Sequence, residues 1–300
     1  MGSGRMDSTS WNNYATKAIK GKSAQSIYAA SKLKDTNNPA MIAMRESRDS
    51  ADNPNSTPII LGLDVTGSMG KILEAVAEGL GTLVQGIYDK LPVPNPQIMF
   101  SAIGDAYVDD APLQVTQFES DIRIAEQLMG LWFERGGGGN LSESYPLSWL
   151  FARDKVVTDN FEKRGKKGFI FTMGDDGWPK VITKEQAKQF LNIDVAEDIF
   201  VPSLLEEVSR KWEVFHLCLK QGHTFKESDV TKWQEILGER AIPVTDYTKI
   251  PEIILSILEV VSGKAVDDVI KSWNGSTGVV VANAILGLAQ FNKPIGVVTL

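Results

Sequence analysis

The chain has 300 residues, with 31 Lys and Arg against 38 Asp and Glu for a net charge of −7, and 43% of its residues are hydrophobic and 23% charged. At roughly 150 residues per domain this suits one large domain or two ordinary ones, and the composition excludes disordered, disulfide-stapled and collagen-like chains. Mild acidity excludes sequence-independent grip on a phosphate backbone, which needs a basic face to release counterions, so nucleic acid is not an expected partner.

Residues 1–5, ahead of a second methionine at Met6, read as an expression remnant. No apolar run is long enough to cross a membrane, and the N-terminus lacks a signal peptide's apolar region, so a cytoplasmic protein with no membrane partner is expected. Residues 6–57 are polar, with weak helical periodicity at Trp11, Tyr14, Ala15, Ala18 and Ile19 and again at Ala24, Ile27, Tyr28 and Leu33. They read as an arm of two short helices broken near Gly21, which docks on the main domain or on a neighbour, followed by a linker at 49–58.

The main domain is expected over 58–263. Pro58 to Leu63 is a continuous apolar run, the mark of a strand buried on both faces, and hence of a parallel sheet. Met69, Ile72, Leu73, Val76, Leu80, Leu83, Val84 and Ile87 then recur at helical spacing. Gln97 to Ile103 and Leu113 to Phe118 predict an edge hairpin across an Asp/Gly/Pro-bearing turn. A helix over Ser120 to Trp132 leads to four glycines at 136–139, and a further helix is expected over Ser142 to Arg153.

Strands are expected at Gly168 to Met173, Trp212 to Leu219 and Ala241 to Thr245, with helices at Thr183 to Leu191, Pro202 to Lys211, Ser228 to Leu237 and Pro251 to Val261. This alternation predicts a doubly wound, Rossmann-like α/β fold: a mostly parallel six-stranded sheet with one antiparallel edge strand and helices on both faces. Residues 264–300 form a C-terminal extension, with a helix near Val266 to Trp273 and an apolar stretch at 279–289, that packs on the domain, pairs with an edge strand or joins the arm against another subunit. Cys218, the one cysteine, lies in an apolar strand and reads as a buried core residue.

Sheets of this kind place ligands beyond the carboxyl ends of their strands. Strand one runs into Asp64-Val65-Thr66-Gly67-Ser68, and the strand at 168–173 into Gly174-Asp175-Asp176-Gly177. Taken alone, Ser68 reads as a helix cap and Asp175-Asp176-Gly177 as a turn. Together they offer hard oxygen donors suited to Mg²⁺, Mn²⁺ or Ca²⁺, whereas His216, His223 and Cys218 lack zinc-ligand spacing. Asp105, with Asp109 and Asp110, marks a second acidic loop at the same edge, read as an ordinary hairpin turn or a further cation site.

Asp64-x-Thr66-x-Ser68 after a buried strand resembles the D-x-[ST]-x-S motif of von Willebrand factor A domains, over about residues 57–263. The resemblance implies a metal-ion-dependent adhesion site in which Thr66 and Ser68 bind the cation directly and Asp64 binds it directly or through water. It also implies a second-loop threonine, which is absent here: Asn140 follows the glycines, with Ser142 or a water as the alternative. The third-loop aspartate matches Asp175 best, with Asp176 next. A partner protein is then expected to present an Asp or Glu to an open coordination position; intracellular bacterial or phage-type members of this family often serve complexes beside AAA+ ATPases, and self-assembly through the terminal extensions is the other partner expectation.

Two rival readings stand beside this one. Asp64-Val65-Thr66-Gly67-Ser68 also resembles the Asp-Lys-Thr-Gly-Thr of P-type ATPases and haloacid-dehalogenase-type phosphotransferases, which implies Asp64 as nucleophile with Asp175 and Asp176 holding Mg²⁺. Thr66 stands where most soluble members carry a general acid. The other rival is a metal-independent structural or assembly subunit.

Overall fold

The computed structural model describes residues 4–5, 8–134, 142–220 and 225–290. Six strands, β1 (Thr57–Asp64), β2 (Pro96–Ile103), β3 (Leu113–Val115), β4 (Gly168–Gly174), β5 (Trp212–Leu219) and β6 (Ala241–Val244), form one sheet in the spatial order β6-β5-β4-β1-β2-β3. Every neighbouring pair is parallel except β2 with β3, which are antiparallel at the edge. All residues of β1, β2 and β4 are buried, the polar Gln97, Ser101 and Thr172 included, as strands covered on both faces require. The fold is thus the expected doubly wound α/β sheet.

Alternate side chains of the strands enter two separate cores. Ile59, Leu61 and Leu63 of β1 join a core built with α1 (Gly70–Lys90), whereas Ile60 points to the opposite face, packed with α2 (Tyr145–Asp154). The second face also carries Lys184–Leu191, Val201–Val208 and α3 (Glu227–Leu237), and the first carries α4 (Ile250–Val261). The stripe on α1 buries Ile72, Leu73, Val76, Leu80, Leu83, Val84 and Ile87; each contributes about 1.5–3 kcal/mol of transfer free energy. The helix stops where Leu91 turns left-handed (φ 48°) ahead of three prolines.

The arm lies on its own domain. Ala15, Ile19, Ala24, Ile27 and Tyr28 are buried in the α1 core, Tyr28 Oη donates to Leu73 O (3.1 Å), and Ala24 N–H donates to Glu74 Oε1 (2.9 Å). Trp11 sits over Gly81 so closely that a Cβ there would lie 1.9 Å from its Nε1. From the other end, Val269, Val281, Ala284 and Ile285 complete the same core, and Trp273 Nε1–H donates to Ser256 Oγ (2.8 Å). Residues 291–300, including the terminal apolar run, lie outside the described residues.

Several elements differ from expectation. The 49–58 segment is pinned rather than loose: Asp49 accepts from Arg164 Nη1 (2.8 Å) and from Ser56 Oγ (2.8 Å). Just before it, Arg45–Ser47 pairs in parallel with Val156–Thr158 in a two-stranded sheet that alternation did not signal, because three residues are too few to show a period. The helix expected over Ser120 to Trp132 is regular only at Arg123–Met129, and β3 ends at Val115 instead of Phe118. The helix expected from Ser142 begins at Tyr145, and the three residues before it are non-helical, joining two loops through main-chain hydrogen bonds. Among the described residues, no helix is long and apolar enough to cross a membrane.

Candidate metal centre

In this strand order the chain leaves β1 outward to β2 and β3, then returns to β4 on the other side of β1, so connections diverge between β1 and β4 and open a crevice at their carboxyl ends. Leu63 pairs with Met173 there, which brings Asp64, the last residue of β1, level with Gly174, the last of β4. Asp64 is fully buried. Its Oδ1 accepts from the backbone N–H of Thr66 (2.9 Å) and from the Thr66 hydroxyl (2.6 Å), and its Oδ2 accepts from Tyr145 Oη (2.9 Å). A carboxylate offers about four lone-pair positions, so these donors fix the group and leave room for about one further contact.

Gly174 makes this arrangement possible through space, not through backbone freedom. A Cβ at that position would lie 1.8 Å from Tyr145 Oη and 2.8 Å from Asp64 Oδ2. Tyr145 in turn packs edge-on against His216 of β5, which stacks on Trp233 of α3 with ring centroids 3.6 Å apart. Trp233 Nε1–H donates to the backbone oxygen of Asp176 (3.1 Å), so the same aromatic stack that backs Tyr145 anchors the loop after β4. Asp175 and Asp176 are both buried in that loop.

The third wall is the segment Ser142-Glu143-Ser144. Ser142 bridges Gly177, Glu143 N–H donates to Gly177 O (3.1 Å), Ser144 N–H donates to Gly104 O (2.9 Å), and Ser144 Oγ accepts from Ala106 N–H (2.9 Å). This segment therefore ties the loop after β4 to the loop after β2. Glu143 is 4% exposed, and its Oε2 has no hydrogen-bond partner among the described residues.

The expected residues divide into three groups. Asp64, Thr66 and Asp175 are brought to one crevice, with Asp176 and Ser142 on its walls. Ser68 falls in the Gly67–Met69 turn ahead of α1, and its side chain lies outside what is described. Asn140 and the four glycines lie outside the described residues altogether. Asp105 is buried and belongs to a tight turn: its Oδ1 accepts from Tyr107 N–H (2.9 Å) and its own N–H donates to Asp109 Oδ2 (2.7 Å), while Asp110 N–H donates to Glu134.

Sequence pattern alone did not single out Glu143 or Tyr145. The signals present were a glutamate between two serines just after the glycine run, and a glycine directly before Asp175.

Burial dominates the electrostatics. It raises the Asp64 carboxyl to about 7 against the lowering pull of the Thr66 donors, and Asp175 adds to the rise. Burial also raises the Glu143 carboxyl to about 10, with Asp64, Asp105, Asp176 and Asp109 adding repulsion. Tyr145 is held well above its ordinary range, first by burial and then by Asp64, Glu143, Asp175 and Asp176. The groups acting on Asp64 and Glu143 are hydroxyls, amides and other acids, so several negative charges converge at low dielectric, a situation that favours either protonation or a cation.

The donors are oxygens of hydroxyl and carboxyl type, which fit Mg²⁺, Mn²⁺ or Ca²⁺. No cluster of three or more His, Cys, Asp or Glu among the described residues is arranged to hold a metal by side chains of those types alone. A cation here would therefore need hydroxyls such as Thr66 in its shell. Beside the crevice, Asp105, Tyr107, Val108, Ser142, Pro179, Lys180 and Val181 line a cleft of about 610 Å³, and Tyr107 and Val108 are exposed.

No known family's sequence profile matches the chain, and no curated protein matches it in sequence. Solved structures are similar in shape. One is the pilus adhesin SpaC from Lactobacillus rhamnosus GG in its open conformation, at 12% identity and a TM-score of 0.47, covering 76% of this chain and 31% of that one. Another is proximal thread matrix protein 1 from the mussel byssus, at 11% identity and a TM-score of 0.44, covering 68% of this chain and 47% of that one. The chain thus spans less than half the length of either.

Proposed function

We propose that this protein is a von Willebrand factor A-type binding module that holds Mg²⁺, Mn²⁺ or Ca²⁺ at the carboxyl ends of β1 and β4 and recognises a partner protein through a partner carboxylate. The observation that carries this reading is the placement of Asp64, Thr66 and Asp175 together in the crevice between β1 and β4, on a sheet of order β6-β5-β4-β1-β2-β3. Thr66 would supply the hydroxyl contact and Asp64 would orient it, since the two are already joined at 2.6 Å. The cation would polarise an incoming carboxylate as a Lewis acid.

The surroundings support a macromolecular partner. Tyr107 is 65% and Val108 56% exposed on the loop after β2, at the lip of a cleft that also carries Lys180. Tyr107 and Val108 offer apolar contact area, tyrosine being a residue type enriched at protein interfaces, beside charged groups that set a partner's orientation. An AAA+ ATPase or a second copy of this chain is the class of partner this reading entertains.

The test is retention of a partner from a lysate of the source organism in Mg²⁺, in EDTA, and with Asp64→Ala. A protein retained in Mg²⁺ and lost both in EDTA and with Asp64→Ala is the expected result. Retention indifferent to both changes would overturn metal-bridged recognition.

A further inference from the structure

The carboxylate of Glu143 has no role in the metal centre as proposed, yet its burial demands one. Desolvating a carboxyl group without a partner costs several kcal/mol, and Oε2 of Glu143 is buried with none. Nothing about the local backbone forces this. The segment is held by main-chain bonds from Glu143 to Gly177 and from Ser144 to Gly104, and these would survive a smaller or neutral side chain at 143. The side chain nevertheless lies among Asp64, Asp105, Asp176 and Asp109, all of which repel it. No three of these acids are arranged to hold a metal by themselves, so a cation that brings Glu143 into use would be shared with Asp64 and the Thr66 hydroxyl and not with the whole cluster.

Asp64 points the same way. Three donors already occupy its two oxygens, which leaves about one lone-pair position for a metal. A site built on Thr66, Asp64 and Asp175 gains from further anionic oxygen, and Glu143, whose carboxylate interacts electrostatically with Asp64, has a buried oxygen with no hydrogen-bond partner among the described residues. It enters from the segment that follows the glycine run, where the resemblance implies a neutral threonine.

We propose that Glu143 is a cation ligand supplied from within the chain, so that the free protein holds its divalent ion through Asp64, Thr66 and Glu143 before any partner arrives. This rests on the proposed metal centre. Its consequence is regulatory: an added carboxylate strengthens resident binding and makes the ion less electrophilic, so a partner's acid must displace or complement Glu143 instead of meeting an open position.

The test is Mn²⁺ titration of the full chain, read by the loss of the free-ion EPR signal, for wild type, Glu143→Gln and Asp64→Asn, with thermal melting of each in EDTA. The expected result is stoichiometric binding by wild type without a partner, tenfold or greater weakening in Glu143→Gln, and stronger weakening in Asp64→Asn. In EDTA, Glu143→Gln should melt no lower than wild type, because the isosteric amide is neutral, as burial among acids keeps the carboxyl itself when no cation is present. Wild-type affinity in Glu143→Gln alongside loss in Asp64→Asn would overturn the role of Glu143 and leave the centre standing. Absence of Mn²⁺ binding by wild type, or binding indifferent to Asp64→Asn, would overturn both. Should Glu143→Gln fail to fold, Glu143→Asp replaces it, since it shortens the reach but keeps the charge: weakened Mn²⁺ binding supports the ligand role, and wild-type affinity overturns it.

Discussion

Tyr145 Oη donates a 2.9 Å hydrogen bond to Asp64 Oδ2 across 81 positions of sequence, joining the first turn of a helix on one face of the sheet to the end of its central strand. The bond holds the carboxylate from below while Thr66 holds it from the loop side. Tyr145→Phe removes one donor from a fully buried acid. Unfolding in urea should show a loss of about 1–3 kcal/mol, the usual penalty for stranding a buried polar group, together with weaker Mn²⁺ binding; an unchanged midpoint would show that the bond contributes nothing.

Gly174→Ala places a methyl 1.8 Å from that same phenol oxygen. Strand backbone accepts alanine, so the cost is overpacking alone, about 1–3 kcal/mol. Because the clash is chiefly with Oη, the double variant Gly174→Ala/Tyr145→Phe should lose less than the sum of the two single losses. A double-mutant cycle checks this, and strict additivity would place the strain elsewhere.

The imidazole of His216 is fully buried, with Nδ1 2.9 Å from Thr172 Oγ1 and no hydrogen-bond partner for Nε2 among the described residues. Burial pushes its pKa well below 6.5. The folded state thus refuses a proton that the unfolded chain accepts, so this contribution is intact above about pH 6.5 and declines as pH falls below it, by up to about 1.4 kcal/mol per pH unit. Comparing urea midpoints at pH 7.5 and 5.5, wild type should lose more stability than His216→Phe. Equal losses would remove His216 as the source.

Gly81→Ala tests the seating of the arm. Its Cβ would meet Trp11 Nε1 at 1.9 Å, on a ring that cannot bend aside as a flexible chain would. Limited trypsinolysis should then cut at Lys17, Lys20 and Lys22 well before the sheet is attacked, at a rate several-fold above wild type. Equal cleavage rates would show that Ala15, Ile19, Ile27 and Tyr28 hold the arm without Trp11.

The sheet was legible because the buried parallel strands at 59–63, 168–173 and 214–219 are written as apolar runs, interrupted only by Thr172 and His216, and α1 as a long stripe, signals that survive without knowledge of tertiary contacts. The convergence of Asp64, Thr66 and Asp175 on one crevice was legible because all three follow the carboxyl ends of adjacent strands. Glu143 and Tyr145 were not, since their placement depends on a three-residue non-helical segment hydrogen-bonded to Gly177 and Gly104, partners distant in sequence. Local pattern assigned that segment to the start of a helix, and non-local hydrogen bonding won. The strands at 45–47 and 156–158 were missed for the same reason: their pairing, not their composition, makes them strands.

Cys218 lies opposite Gly174 in the pairing of β4 with β5, and burial raises its thiol to about 12. As the chain's one cysteine, it is shut off from alkylating reagents for as long as the strands stay closed around it. Its modification rate is therefore a clock for the opening of the sheet two strands from Asp64, on the far side of Gly174, readable by mass alone in the native sequence, and slowing of that clock on addition of a divalent ion would register occupancy of the crevice.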